Sequence, residues 1–416
     1  MHTELSPEFA GTADGEAAQA ILRKCVHCGF CTATCPTYQL LGDELDGPRG
    51  RIYLMKAFFE GEPATRETQL HLDRCLTCRN CESTCPSGVP YGELVDIGRR
   101  LVDERVERPP LERATRWLLK EGLTSPLFAP AMALGQVVRP LLPAVLKAKV
   151  PERVAADPRG TPTRSHARRM LMLVGCVQPA MSPNINAATA RVLDAAGIEV
   201  MTPSGAGCCG AIRAHLGDQG GGLADMRRNI DAWWPLVEGG VVEAIVMNAS
   251  GCGVTVKEYG HHLAGDPAYA DKAARISALT RDLSELLPML VPVLKPKLAA
   301  AAQAGQLALH PPCTLQHGQQ LKGGLEAGLR DLGFTVSLPE DSHLCCGSAG
   351  TYSVLQPALS QQLRERKLAH LSALKPDTIV SANIGCITHL QTGSGSRCGT
   401  PVRHWVEVVD AALGGG

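Results

Sequence analysis

Beyond residue 166 the chain carries short apolar runs set between longer amphipathic ones. "LMLVG" and "EAIVMN" have counterparts further on in "LALH" and "TIVSAN", and a β-like run, "GIEVMTP", stands between the first two. Runs this short predict strands. "NAATARVLDAAG" and "LSQQLRERKLAHLSAL" space their apolar residues as helices do, so strand and helix alternate. That alternation predicts a small α/β layer with parallel pairing. Nearer the N-terminus, in "LLGDELDGPRGRIYLMKAFFEG", Ile52, Leu54, Met55, Phe58 and Phe59 recur at near-helical spacing. They predict a helix following a turn at Gly47-Pro48-Arg49-Gly50.

The most continuous apolar stretch, "GLTSPLFAPAMALGQVV" at 122–138, is interrupted by Pro126 and Pro130 and followed at once by Arg139. A spanning helix needs about 20 apolar residues. The stretch therefore predicts a linker, or a helix lying on protein or on a membrane surface.

Two of the α/β segments repeat each other. The first contains Cys176, then Cys208-Cys209-Gly210, then Cys252; the second contains Cys313, then Cys345-Cys346-Gly347, then Cys386. In both, 31 residues separate the first cysteine from the pair, which points to duplication. The repeat also settles a local ambiguity. "GAGCCG" at 205–210 reads as the G-x-G-x-x-G of a dinucleotide loop, but the second copy has Ser342-His343-Leu344 where the first has Gly205-Ala206-Gly207. The cysteines survive duplication and the first two glycines do not. Cysteines at strand ends and in the intervening loop would converge at one sheet edge, where open α/β sheets bind ligands. A further iron–sulfur site or a redox-active thiol pair is the functional reading of these eight cysteines; simple packing is the alternative.

The chain has 17 cysteines in 416 residues. Its opening, "MHTELSPEFAGTADGEAAQA", has acidic residues and no continuous apolar run, which predicts no secretory signal. In the reducing cytoplasm this implies, clustered cysteines serve metals or redox chemistry. Lys and Arg balance Asp and Glu at 41 each, which argues against a nucleic-acid partner.

Two further cysteine runs are denser. "CVHCGFCTATCP" places Cys25, Cys28, Cys31 and Cys35 before Pro36, and "CLTCRNCESTCP" places Cys75, Cys78, Cys81 and Cys85 before Pro86. Both are C-x2-C-x2-C-x3-C-P, the run of two-cluster ferredoxins, in which the fourth cysteine ligates the other cluster. The expectation is two [4Fe–4S] clusters: Cys25, Cys28, Cys31 and Cys85 on the first, Cys75, Cys78, Cys81 and Cys35 on the second. The prolines are expected to end the loops. Four thiolates also suit zinc, although zinc sites usually divide their ligands into two separated pairs. Arg49 and Arg51 read either as groups near a cluster or as surface arginines beside a turn. His310, His317, His343 and His389 lie near the second set of thiols, but with 13 histidines in the chain such proximity is expected, and none is assigned as a ligand. Cys398 is assigned to packing.

Together, the expected class is α+β: a mainly helical two-[4Fe–4S] ferredoxin-type domain at 1–105, a helical, proline-rich linker at 106–165, and α/β repeats at 166–300 and 301–416. "CVHCGFCTATCPTYQLLGDELDGPRGRIYLMK", the second ferredoxin run and the two Cys-Cys-Gly copies resemble the iron–sulfur subunits of bacterial glycolate oxidase over nearly the whole chain. Relatives of that group are the iron–sulfur subunit of anaerobic glycerol-3-phosphate dehydrogenase, lactate-utilisation proteins and heterodisulfide reductase. The resemblance implies flavin-containing partner subunits that oxidise glycolate, and also D-lactate. It implies electrons leaving through this chain to quinone or another membrane acceptor, and a cytoplasmic protein peripheral on the inner membrane. No stretch offers a flavin or nicotinamide site, and hydride must be accepted somewhere, which also places the flavin on a partner. In the heterodisulfide reductase form each CCG domain ends in C-x-x-C. Here Cys252 is followed by "GVT" and Cys386 by "ITH", so the non-cubane cluster of that form is not expected. The competing classes are a disulfide reductase acting at the CCG site and a metal-stabilised scaffold.

Overall fold

The computed structural model describes residues 1–141, 143, 150–298, 305–397 and 399–414; the packing role expected of Cys398 lies outside the described residues. The N-terminal part is helical. Helix Ala13–Lys24 starts where the Thr12 side chain accepts the Gly15 N–H, with Asp14 and Glu16 in its first turn and Arg23 and Lys24 in its last. Cap and charges thus both favour the helix. Helix Pro48–Phe59 begins on a proline at its first position, where the missing N–H costs nothing. Most of the expected turn at 47–50 is therefore the first turn of the helix. Leu22, Met55, Phe59, Leu72, Leu94 and Val95 join in one core, drawn from helices Ala13–Lys24, Pro48–Phe59, Arg66–Asp73 and Tyr91–Arg105. Gly98 lets two of these helices close up: a Cβ there would lie 2.6 Å from the Met55 sulfur.

Each repeat builds a four-stranded parallel sheet. In the first, β1 (Arg168–Met172), β2 (Ile198–Met201), β3 (Ala244–Met247) and β4 (Thr280–Asp282) are ordered β2-β1-β3-β4. In the second, β5 (Gln306–Leu309), β6 (Thr335–Ser337), β7 (Thr378–Ser381) and β8 (Val402–His404) are ordered β6-β5-β7-β8. The registers correspond as well: Leu171 pairs with Ile245 and Ala308 with Ile379. Strand order reverses between β1 and β3, and between β5 and β7, and the crevice at such a switch point is where ligands bind.

Val246 of the first sheet and Val380 of the second belong to one hydrophobic core. Helix Asn184–Ala195 of the first repeat packs on helix Trp405–Leu413 of the second, and Arg191 Nε donates to Asp410 at 2.9 Å. Helices Pro110–Thr124 and Phe128–Val138 follow the N-terminal part and have no buried residue. Leu111, Trp117, Leu118 and Leu134 stand exposed on them, and Leu127 just before the second. Among the described residues, no helix is long and apolar enough to cross a membrane.

Candidate metal centres

The two dense cysteine runs fold alike. Left-handed backbone at His27 and Gly29 in the first run, and at Thr77 and Arg79 in the second, turns each loop so that successive thiols face the same side. Glycine adopts this conformation freely, whereas Arg79 pays about 1–2 kcal/mol for it. It is held there by ion pairs from its guanidinium to Glu82 (Nε–Oε2, 2.7 Å) and Glu258. Sequence spacing gave no sign of Arg79. Pro36 ends its loop by opening helix Pro36–Leu41, with Cys35 at its N-cap position, while Pro86 leads into a turn rather than a helix.

Two cavities lie side by side. One is lined by Cys25, Cys28, Cys31 and Cys85, with Arg49 beside them; the other by Cys35, Cys75, Cys78 and Cys81, with Arg51 and Arg79. Each cavity thus receives three thiols from one run and the last thiol of the other. Pro48, Cys81 and Tyr91 line both, so Cys81 is a fifth thiol at the first cavity. No carboxylate lines either cavity, so thiol donors with flanking cations suit an anionic, thiolate-held group. Burial pushes the Cys31 thiol up to about 11, assisted by Cys25, and raises Cys78 and Cys81 as well. A bound cation would supply the charge that turns such thiols into ligands.

Arg51 is not a surface arginine: it is 1% exposed. Its Nε donates to the His71 carbonyl at 2.7 Å, and its Nη2 lies 3.2 Å from Thr37 Oγ1 and 3.4 Å from Asp46 Oδ1. Asp46 in turn takes Arg74 and His71. These partners and the Asp46 charge are what permit a guanidinium to be buried. Arg49 pairs with Glu44 at 2.6 Å.

In the repeats, the cysteines converge at the carboxyl ends of the strands. Cys176 follows β1, Cys208 and Cys209 follow β2, and Cys252 follows β3; Cys313, Cys345, Cys346 and Cys386 follow β5, β6 and β7. Cys176 touches Cys208, Cys208 touches Cys209, and Cys209 touches Cys252. In the second repeat Cys313 and Cys345 sulfurs are 3.8 Å apart, and Cys346 reaches both Cys345 and Cys386. In the first repeat Cys208 is held below the usual thiol range by Cys176, Cys209 and the N–H groups of Gly210 and Ile212. In the second repeat Cys313, Cys345 and Cys346 are pushed up. Buried Lys367 lies near this group, and its Nζ donates to the Asp341 carbonyl at 2.5 Å.

The glycine after each cysteine pair has positive φ, +94° at Gly210 and +89° at Gly347. A Cβ there would come within 2.7 Å of the Gly222 carbonyl oxygen or 2.5 Å of the Ser360 oxygen. Gly207 is not crowded; its nearest neighbour would be Arg228 Nη1 at 3.8 Å. The loop geometry thus requires only the glycine that both copies share.

Of the four histidines, two bond elsewhere and one lies beside a carboxylate. His317 bridges Ser83 and the His343 carbonyl, His389 lies against Ser360, and His343 is half-buried beside Asp341. His310 is different: a ring nitrogen and the Cys346 and Cys386 sulfurs all lie within 4.8 Å of one another. Sequence reasoning left it unassigned among 13 histidines.

The second ferredoxin loop meets the second repeat. Leu76, Cys345, Tyr352, Leu359 and Leu363 form an apolar cluster against which Cys78 and Cys313 pack. Tyr352 Oη donates to the Arg74 carbonyl at 3.1 Å.

Residues 21–89 match the 4Fe-4S dicluster domain, and residues 170–257 and 307–391 each match the cysteine-rich CCG domain. The chain is 56% identical to the glycolate oxidase iron-sulfur subunit of Escherichia coli (strain K12), covering 99% of both chains. A Bacillus subtilis (strain 168) protein named "Probable glycolate oxidase iron-sulfur subunit" is 30% identical, with 89% of each chain covered. Lactate utilization protein A of Geobacillus thermodenitrificans (strain NG80-2) is 29% identical over 58% of this chain and 98% of its own. With its helical dicluster domain and duplicated CCG sheets, the chain is an iron–sulfur protein and belongs to the glycolate oxidase iron–sulfur subunit family.

Proposed function

We propose that this chain is the electron-carrying subunit of a complex that oxidises glycolate to glyoxylate, and D-lactate likewise, with substrate oxidation on flavin-containing partner chains. The observation that carries the proposal is the pair of adjoining cavities, one lined by Cys25, Cys28 and Cys31 of the first run with Cys81 and Cys85 of the second, the other by Cys75, Cys78 and Cys81 of the second run with Cys35 of the first. Cys25, Cys28, Cys31 and Cys85 hold one [4Fe–4S] cluster, and Cys75, Cys78, Cys81 and Cys35 hold the second. When bound, the clusters supply one-electron carriers. Arg49, Arg51 and Arg79 offset their negative charge. The apolar seam around Leu76 and Tyr352 keeps water from the path toward Cys313 and Cys345. The domain limits proposed are 1–105, 106–165, 166–300 and 301–416.

The path has a direction. Cys28 is exposed at the first cavity, flanked by Val26 and Phe30, 67% and 63% exposed. The second cavity is covered by the second repeat. Electrons enter at the first cavity, where the flavin partner docks, and leave toward the repeats and a membrane quinone. Exposed Leu111, Trp117, Leu118, Leu127 and Leu134 give the linker helices a face suited to the bilayer interface, on the cytoplasmic side of the inner membrane. Retention on anionic lipid vesicles, lost on Trp117→Glu/Leu118→Glu, checks that placement.

The test of the proposal uses the full chain, prepared anaerobically and free of flavin. Dithionite should bleach it and a water-soluble quinone should restore its colour, while glycolate alone should do neither. Turnover of glycolate by flavin-free material contradicts the assignment of substrate oxidation to a partner.

A further inference from the structure

The two repeats are close copies in backbone and differ in chemistry at one corner. His310 sits three residues before Cys313, as Leu173 sits three residues before Cys176. Both occupy the same place in their sheets: the His310 N–H donates to the Val380 carbonyl at 2.8 Å, and the Leu173 N–H to the Val246 carbonyl at 3.4 Å. The position opposite changes with it. Ser381 ends β7 where Met247 ends β3. The first repeat thus has a leucine and a methionine where the second has a histidine and a serine.

A histidine 1% exposed in a sheet core needs partners for both ring nitrogens. Nδ1 has Ser381 Oγ at 3.1 Å. Nε2 is buried and has no partner. With the proton placed on Nδ1 and donated to Ser381, Nε2 carries a lone pair. Leaving such a group unsatisfied costs about 1–3 kcal/mol, so a buried, unpartnered imidazole nitrogen on a ring beside two cysteine sulfurs calls for an acceptor of lone pairs. The Cys346 and Cys386 sulfurs and one His310 ring nitrogen lie mutually within 4.8 Å, a reach that a metal ion can draw together. The Ser381 bond is the kind of outer hydrogen bond that fixes the orientation of a ligating imidazole.

The geometry points to a mixed nitrogen–sulfur metal site in the second repeat, with His310 Nε2, Cys346 and Cys386 as ligands to a thiophilic transition metal. The first repeat offers thiols alone. Burial and the nearby Lys367 charge push the His310 imidazole downward, toward the neutral form that ligates metals. The second site thus adds a neutral imidazole beside its cysteines where the first has only the Leu173 side chain. Buried Lys367 adds to that difference. The site stands behind the Cys78–Cys345 seam, and it is independent of which acid the complex oxidises.

The decisive experiment converts the second repeat to the first: His310→Leu/Ser381→Met, a pairing the fold already accommodates as Leu173 and Met247. Pulsed magnetic resonance on full-length protein would look for histidine nitrogen coupling to the metal in the second repeat. The probe is the reduced iron as isolated, or Co(II) introduced where the isolated metal is diamagnetic. The wild type should show a coupling that shifts on 15N-histidine labelling and disappears in the double variant, with metal affinity about 100-fold lower. Ser381→Ala alone should weaken binding less and retain the coupling. Absence of metal at this site in the wild type, or an unchanged coupling in the double variant, overturns the proposal. Signals of the N-terminal clusters, read in the same samples, report separately on the proposed electron-carrying role.

Discussion

Cys78 of the second ferredoxin loop packs into the same apolar cluster as Cys345 of the second repeat, closed by Leu76, Tyr352 and Leu359. The two cysteine systems, read from the sequence as separate motifs, are therefore neighbours across a dry seam. Leu76→Ala should cost about 2–5 kcal/mol, the usual price of a deleted core leucine, seen as a lower midpoint in anaerobic chemical denaturation. Iron content should stay that of wild type. An unchanged midpoint means the seam contributes nothing to cohesion.

Cys85 lines the cavity of the first run, and Cys35 that of the second. Cys85→Ser should therefore perturb the cluster of the first run, and Cys35→Ser that of the second. Magnetic resonance of the reduced proteins distinguishes the two. Loss of the cluster belonging to the mutated cysteine's own run would show that the ligation is not crossed.

The Cys-Cys-Gly loops make a graded prediction. Gly210→Ala and Gly347→Ala force a side chain into left-handed backbone, costing about 1–3 kcal/mol, and drive it against a carbonyl oxygen. Gly207→Ala meets only open space and the end of an arginine, so its stability should remain within about 0.5 kcal/mol of wild type. Thermal denaturation of the three variants checks the order. Equal effects at positions 207 and 210 contradict a loop shaped by the shared glycine.

Val26 and Phe30 are exposed beside the first cavity. Val26→Glu/Phe30→Glu should leave iron content unchanged and weaken association with the flavin subunits by about 10-fold or more, as removal of apolar anchors does. Co-purification and titration of the separate subunits measure this. Full association would place the docking face elsewhere.

The strand–helix alternation and the duplication were legible because short apolar runs and cysteine spacing are local signals. The edge strands Thr280–Asp282 and Val402–His404 escaped because three residues with charged ones among them carry no hydrophobic pattern. Arg51 looked like a turn arginine, since nothing local shows that Asp46, Thr37 and the His71 carbonyl surround it. His310 was hidden by number: one histidine in 13 becomes distinctive only when β5 and β7 bring it beside Ser381 and two cysteines. The left-handed turn at Arg79 was invisible because the first run uses glycine at the same place.

The most direct test of two thiolate-held clusters in the adjoining cavities is iron and acid-labile sulfide per chain in anaerobically prepared full-length protein. The account predicts at least about eight of each, two four-iron clusters, with any excess residing in the repeats. Zinc in place of iron, with no labile sulfide, would contradict it.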